Sequence, residues 1–294
     1  MKIVLDQAVA ATLLPRREEG QAKWSFGRTL LVCGSASMTG AALLSCEGAL
    51  RSGAGLVQLA SVDAVIAAAR VRLPEALLLP LPQAEDAVPG AICRDASRLL
   101  LQEGKKAQSL LFGCGCGITD DGRALLQELC AEYDGTIVLD ADGLNLLAEN
   151  LSLLNNVRGR CILTPHAGEF CRLSGLTREQ LEADPAGAAM AFAAKYGCVV
   201  ALKGAVTHIT DGTRQYAVDA PNSGMAKGGS GDVLAGLTAG LAALMSDRLL
   251  ECAALAVWLH SRAGLLARAA LGANAMLPRD VLARLGQAFL ELEP

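Results

Sequence analysis

Ser109-Leu110-Leu111-Phe112-Gly113-Cys114-Gly115-Cys116-Gly117, then a helical stretch over 122–131, then Thr136-Ile137-Val138-Leu139-Asp140, decides the fold class. Two short apolar runs, each closed by glycine or an acid, read as strands, and the longer stretch between them reads as a helix. The same alternation extends both ways. Upstream, strands are predicted over 29–33, 56–60 and 76–79, helices over 39–51, 62–71 and 91–102, and a Pro-rich surface loop over 80–89. Downstream, strand 161–163 ends at Thr164-Pro165, and helix 185–196 leads into strand 198–202. Residues 206–210 and 214–218 flank Asp211-Gly212, a hairpin signal placed at one sheet edge. From Gly231 the pattern is helical nearly to the end. Such alternation predicts an α/β fold in three layers, a mainly parallel central sheet with helices on both faces. No repeat or linker divides the chain, so residues 1–294 read as one domain.

Composition supplies the material for that fold. Hydrophobic residues make up 52% of the chain and aromatics only 3%, so the core must be built from Ala, Leu and Val. The net charge of −4 comes without a basic block, which gives nucleic acid nothing to bind. The ten cysteines show no CxxC pair and no Cys/His zinc spacing, and they read as small buried groups in a reducing cytoplasm. That reading includes Cys114 and Cys116 in their glycine-rich turn. The apolar run near the N-terminus is too short for a secretory signal. Residues 249–271 are interrupted by His260, Arg262 and Arg268 and read as a buried helix, so no membrane partner is expected.

In parallel sheets ligands sit outside the carboxyl ends of strands, and the polar segments of this chain fall there. The most informative is Gly228-Gly229-Ser230-Gly231-Asp232, where glycines admit a phosphate to the N–H groups of an opening helix and Asp232 lies in its first turn. Helix capping is the bland alternative for Asp232. The small residues from Gly34 to Ala42 and the turn 113–117 allow close backbone approach, or simply tight packing. Asp140, Asp142 and Asn145 can hold a ligand or a magnesium ion through water, or cap the next helix. His166 and Glu169, one helical turn apart, can both face the cleft. Lys203 can neutralise a phosphate and Thr207 can bond one.

These segments, together with Arg51-Ser52-Gly53-Ala54-Gly55-Leu56-Val57, Leu163 to Phe170 and Leu202-Lys203-Gly204, resemble in order and spacing the ADP-dependent NAD(P)H-hydrate dehydratases, a branch of the ribokinase-like superfamily. The resemblance runs from about Phe26 to Phe289. It implies that the S epimer of hydrated NADH or NADPH is dehydrated to NAD(P)H while ADP becomes AMP and phosphate. It implies Asp232 as the catalytic residue and Ala41, Gly115, His166 and Asp232 at the hydrate. Lys203, Gly204, Ala205, Val206, Thr207 and Gly231 would touch ADP, with Mg2+ as cofactor. It also implies an epimerase on a separate protein. The apolar helical C-terminal third, in turn, reads as a self-association surface and points to a homo-oligomer, taken as a tetramer. Met38 stands where an aromatic is common, Cys114 where proline is frequent and Ser230 where threonine is usual. The rivals are a ribokinase-like small-molecule kinase using the same Gly-Ser-Gly-Asp segment and a non-catalytic nucleotide sensor. The His166 and Gly34 to Ala42 segments favour the dehydratase over the kinase, and the presence of Asp232 speaks against the sensor.

Overall fold

A computed structural model describes residues 2–84 and 88–293. Ten strands form one sheet: β1 (Lys2–Val4), β2 (Arg28–Val32), β3 (Leu56–Ser61), β4 (Leu77–Pro80), β5 (Ser109–Phe112), β6 (Thr136–Leu139), β7 (Cys161–Leu163), β8 (Val199–Leu202), β9 (Val206–Thr210) and β10 (Gln215–Asp219). Their spatial order is β1-β10-β9-β8-β7-β6-β5-β2-β3-β4. Every pairing is parallel except the two made by β9.

Every residue of β5, β6, β7 and β8 is buried. Successive strand side chains point to opposite faces, so both faces are covered. Two groups of helices supply the cover. Thr39–Leu50, Ser230–Leu244, Leu249–Ala275 and Pro278–Leu290 pack on one another, whereas Ser97–Gly104, Asp120–Glu132, Asp142–Glu149 and Ala167–Ser174 follow one another as neighbours.

The scarcity of aromatics is matched by close helix crossing. A Cβ on Gly48 would come 2.6 Å from the Val233 carbonyl oxygen, and one on Gly236 would run into the Ser45 carbonyl. Helices Thr39–Leu50 and Ser230–Leu244 therefore meet backbone to backbone, which fixes where the N-terminus of the second one points.

Three expectations need correction. The β9–β10 hairpin is antiparallel as predicted, but it is not the sheet edge, because β1 pairs parallel with β10 outside it. A three-residue strand is too short to carry an alternation signal. The helix predicted over 91–102 starts late: Cys93 is extended, a 3-10 turn covers Arg94–Ala96, and the α-helix runs Ser97–Gly104. Pro80 closes β4 rather than opening the loop, and residues 85–87 of that loop lie outside the described residues. Leu249–Ala275 is a 27-residue helical stretch kinked at Gly272, where φ is 75°; it is long and apolar enough by composition to span a bilayer, yet 72% of its most apolar window is buried inside the protein. His260 faces that interior, 8% exposed.

The chain leaves β2 outward to β3 and β4, then returns to the other side of β2 as β5. That reversal opens a crevice outside the carboxyl ends of β2 and β5.

Candidate active site

The polar segments line one edge of the sheet in the order β2, β5, β6, β7, β8, and they form three groups. At the switch point, the turn after β5 meets the helix after β2. Gly113, Gly115 and Gly117 have φ of 125°, 69° and 82°, a region only glycine enters freely. A Cβ on Gly115 would lie 2.8 Å from Met38 Cβ and 3.0 Å from Ala41 Cβ, so Gly115 and Ala41 are packed neighbours. Ala41 is 6% exposed and Met38 50%, which makes Met38 an apolar lip over this wall.

The middle group carries charge. Asp140 follows β6 and is 2% exposed. Its Oδ1 accepts from Thr164 Oγ1 and from Lys203 Nζ, each at 2.8 Å. The Cys114 thiol donates to its Oδ2 at 3.8 Å. Asp232 completes the group, with one ligand atom each from Cys114, Asp140 and Asp232 lying within 4.8 Å of one another. Gly229, with φ 99°, is the N-cap of helix Ser230–Leu244 and Asp232 sits inside the first turn, so the carboxylate is not spent on capping. Burial, and then the charge of Asp140, push Asp232 up to about 6 from its ordinary 3.8. The Lys203 ammonium is pushed down by burial, but Asp140 and Glu169 outweigh that and raise it. A Cβ on Gly231 would stand 3.3 Å from Lys203 Nζ, so the helix opens directly onto the Lys203–Asp140 pair. The opening turn of the helix, whose Ser230 N–H donates to Lys227 O at 3.3 Å, its positive dipole end and an ammonium thus converge beside a carboxylate.

The third group lies between β7 and β8. His166 pairs as an isolated bridge with Lys203. It is the N-cap of helix Ala167–Ser174, its Nδ1 accepting from Gly168 N at 3.0 Å and Glu169 N at 3.2 Å, while Glu169 Oε2 accepts from His166 N at 2.8 Å. Burial, then Lys203 and Arg172, hold the imidazole below its usual pKa, which suits an Nδ1 that accepts. The side chain is 56% exposed, and its Nε2 lies 3.4 Å from Glu169 Oε1. Burial raises the neighbouring Glu169 carboxyl. In the β8–β9 loop, Gly204 and Ala205 are exposed and Val206 begins β9. The Thr207 hydroxyl closes the loop by donating to Gly204 O at 3.4 Å.

The structure therefore brings Asp232, Gly231, Lys203 and His166 to one place and Ala41 with Gly115 to the adjoining wall. It redirects two others. Asp142 Oδ2 accepts from Gly117 N at 2.8 Å and so braces the wall turn, and Asn145 Oδ1 accepts from Arg172. Between Asp140 and Asp142, Ala141 holds φ 50°, the one positive φ outside glycine among the described residues. Cys116 is the small buried group expected of it, its thiol donating to Val32 O at 3.3 Å. Cys114 is equally buried but lies in the charged group, and so does Thr164, which the sequence marks only as the end of a strand. Cys114, Asp140 and Asp232 each offer one ligand atom within 4.8 Å of one another, but Asp140 is held by Thr164 and Lys203, one donor of the three is a soft thiol, and Asp142 and Asn145 are bonded elsewhere, so the cluster is a poor match for magnesium, which calls for hard oxygen ligands.

A family model described as NAD(P)H-hydrate dehydratase matches residues 29–286. The chain is 37% identical over 292 residues to a bifunctional NAD(P)H-hydrate repair enzyme of Moorella thermoacetica, covering 99% of this chain and 54% of that one. It spans about half the length of that and several other curated relatives it matches. An ADP-dependent (S)-NAD(P)H-hydrate dehydratase of Xanthomonas campestris is 36% identical over 276 residues, covering 93% of this chain and 92% of that one. Among solved structures, a ribokinase-like superfamily protein of Enterococcus faecalis superposes with a TM-score of 0.86 at 25% identity, covering 100% and 97% of the two chains. The ADP/ATP-dependent NAD(P)H-hydrate dehydratase of Bacillus subtilis, co-crystallised with ATP/Mg2+, gives a TM-score of 0.81 at 25% identity over 99% of both. With its α/β architecture and this match across most of its length, the chain belongs to the NAD(P)H-hydrate dehydratase family and has a ribokinase-like fold.

Proposed function

We propose that this chain is an ADP-dependent lyase that dehydrates the S epimer of NAD(P)H hydrate to NAD(P)H, yielding AMP and phosphate. The observation that carries the reading is Asp232, a mostly buried carboxylate in the first turn of an anion-binding helix and beside Lys203. A ring hydroxyl is a poor leaving group near neutral pH. Transfer of the terminal phosphoryl group of ADP to that hydroxyl leaves AMP and turns the hydroxyl into a good leaving group. Asp232 takes the hydroxyl proton as the O–P bond forms. The amides of residues 229–231 and the Lys203 ammonium bear the charge on the moving group. The ring-nitrogen lone pair then expels phosphate, and loss of a proton from the adjacent ring carbon restores the dihydronicotinamide.

In this reading ADP lies along Lys203, Gly204, Ala205, Val206, Thr207 and Gly231, and the hydrate lies against Ala41, Gly115, His166 and Asp232. Mg2+ enters as a counter-ion of the nucleotide phosphates, and no step is assigned to it. The whole chain acts as one domain. Exposed Leu271, Leu277 and Leu290 on the C-terminal helices support a homo-oligomer, which we take to be a tetramer. Ten free cysteines support a cytoplasmic location. An epimerase that interconverts the two hydrate epimers would feed it the S epimer. Incubation with hydrated NADH and either ADP or ATP tests the activity. Recovered absorbance at the dihydronicotinamide band with one phosphate per turnover supports it, whereas a stable phosphorylated alcohol would make the protein a kinase.

A further inference from the structure

The glycine turn that opens helix Ser230–Leu244 rests on helix Leu249–Ala275, at several points along that helix. A Cβ on Gly264 would lie 2.5 Å from Met225 Sδ, and one on Gly224 would strike Met276 Sδ. Lys227, immediately before Gly228, donates through Nζ to the carbonyls of Asn274 and Met276, each at 2.7 Å. One turn before Gly264 on that helix stands His260. It is 8% exposed, and its Nε2 is buried with no hydrogen-bond partner. The group beside it is the Ser230 backbone, which acts on the ring as a carbonyl facing a ring N–H does. Burial drives the imidazole down to about 4, so it stays neutral. A buried polar atom left unpaired costs folding stability, and an apolar side chain of similar size would remove that cost. A spare ring N–H under the anion-binding turn has a use if the pairing forms when the turn is loaded.

We propose that His260 is a positioning residue for the phosphoryl-binding turn: its Nε2–H donates to Ser230 when a nucleotide phosphate draws the turn inward, holding the amides of residues 229–231 on the phosphoryl group. The inference rests on the nucleotide-binding part of the function proposed above. It does not depend on what the second substrate is, because its readout is nucleotide affinity.

The test compares wild type, His260→Leu and His260→Gln by calorimetric titration with ADP and with ATP, alongside melting temperatures. In His260→Leu we expect about a tenfold loss in nucleotide affinity and a fall in kcat, with the KM for hydrated NADH unchanged and a melting temperature at or above wild type. In His260→Gln, which restores a donor near the Nε2 position, affinity should return to within about threefold of wild type. Wild-type affinity in His260→Leu overturns the proposal. So does a parallel loss of affinity and melting temperature in both variants, the mark of a packing role alone. If wild type bound neither nucleotide, both the proposal and the function would fall. If it bound nucleotide but left the hydrate unchanged, only the function would.

Discussion

The turn after β5 and the loop after β8 occupy equivalent places at the carboxyl edge of the same sheet, yet they are built by opposite means. In residues 113–117, form resides in the backbone: three glycines at positive φ, with Asp140 O and Gly143 N filling the space a Gly113 side chain would need. In residues 203–207, Gly204 and Ala205 are exposed, and the loop contributes a charge, the Lys203 ammonium held by Asp140. One is a wall whose shape excludes; the other is an electrode. Asp232 stands where they meet, close to Cys114 from the wall and to Asp140, the partner of Lys203. Shape and charge should therefore fail differently when altered.

The largest effect is expected at the junction. Asp232→Asn should lower kcat by about 10³-fold or more while ADP affinity changes less than about threefold, as read by single-turnover kinetics and titration. The same variant should be more stable than wild type at pH 8. A carboxyl raised to about 6 in the fold from 3.8 costs folding energy when ionised, about 3 kcal/mol. That advantage should shrink as pH falls from about 6 toward 4, where wild-type Asp232 is protonated. Wild-type kcat/KM should fall as pH drops through about 6, since only the ionised carboxylate can take a proton. A flat profile down to pH 4.5 would remove Asp232 from that role.

Breaking the wall comes next. Gly113→Ala places a methyl group on the Asp140 carbonyl at φ 125°, and should cost about 3 kcal/mol in chemical denaturation. What remains folded should still bind ADP. Breaking the electrode is milder in stability and sharper in function. Lys203→Met should weaken ADP about 10- to 100-fold, the range for a lost charge-assisted bond. Equal ADP affinity in Lys203→Met would merge the two regions into one purely steric site. The smallest effect separates the two roles of His166. Asn also caps helices, so His166→Asn should change stability by less than about 0.5 kcal/mol. A raised KM for the hydrate in that variant isolates the ligand contact from the cap.

The comparison also explains what could be read from the sequence. Buried parallel strands are continuous apolar runs closed by glycine, an acid or Thr-Pro, so β5, β6 and β7 are legible to the residue. Lys2–Val4 was not, because its pairing with β10 is set by tertiary contact rather than by its three residues. The electrode was legible because charge beside glycine at a strand end is uncommon without a ligand. The wall was legible only as small residues. Nothing in the spacing of Asp142 announces that it bonds Gly117 N, and nothing in Cys114 announces a carboxylate at its thiol. His166 looked like a ligand and is first a helix cap. Long-range pairings of this kind become visible only when the turns are folded onto one edge.

The central claim is that the ring hydroxyl is phosphorylated before it leaves. Hydrated NADH formed in ¹⁸O-labelled water carries the label in that hydroxyl. After turnover with ADP in unlabelled water, phosphorylation before elimination predicts one ¹⁸O in each phosphate released, read by mass spectrometry. Unlabelled phosphate alongside restored NADH would contradict it.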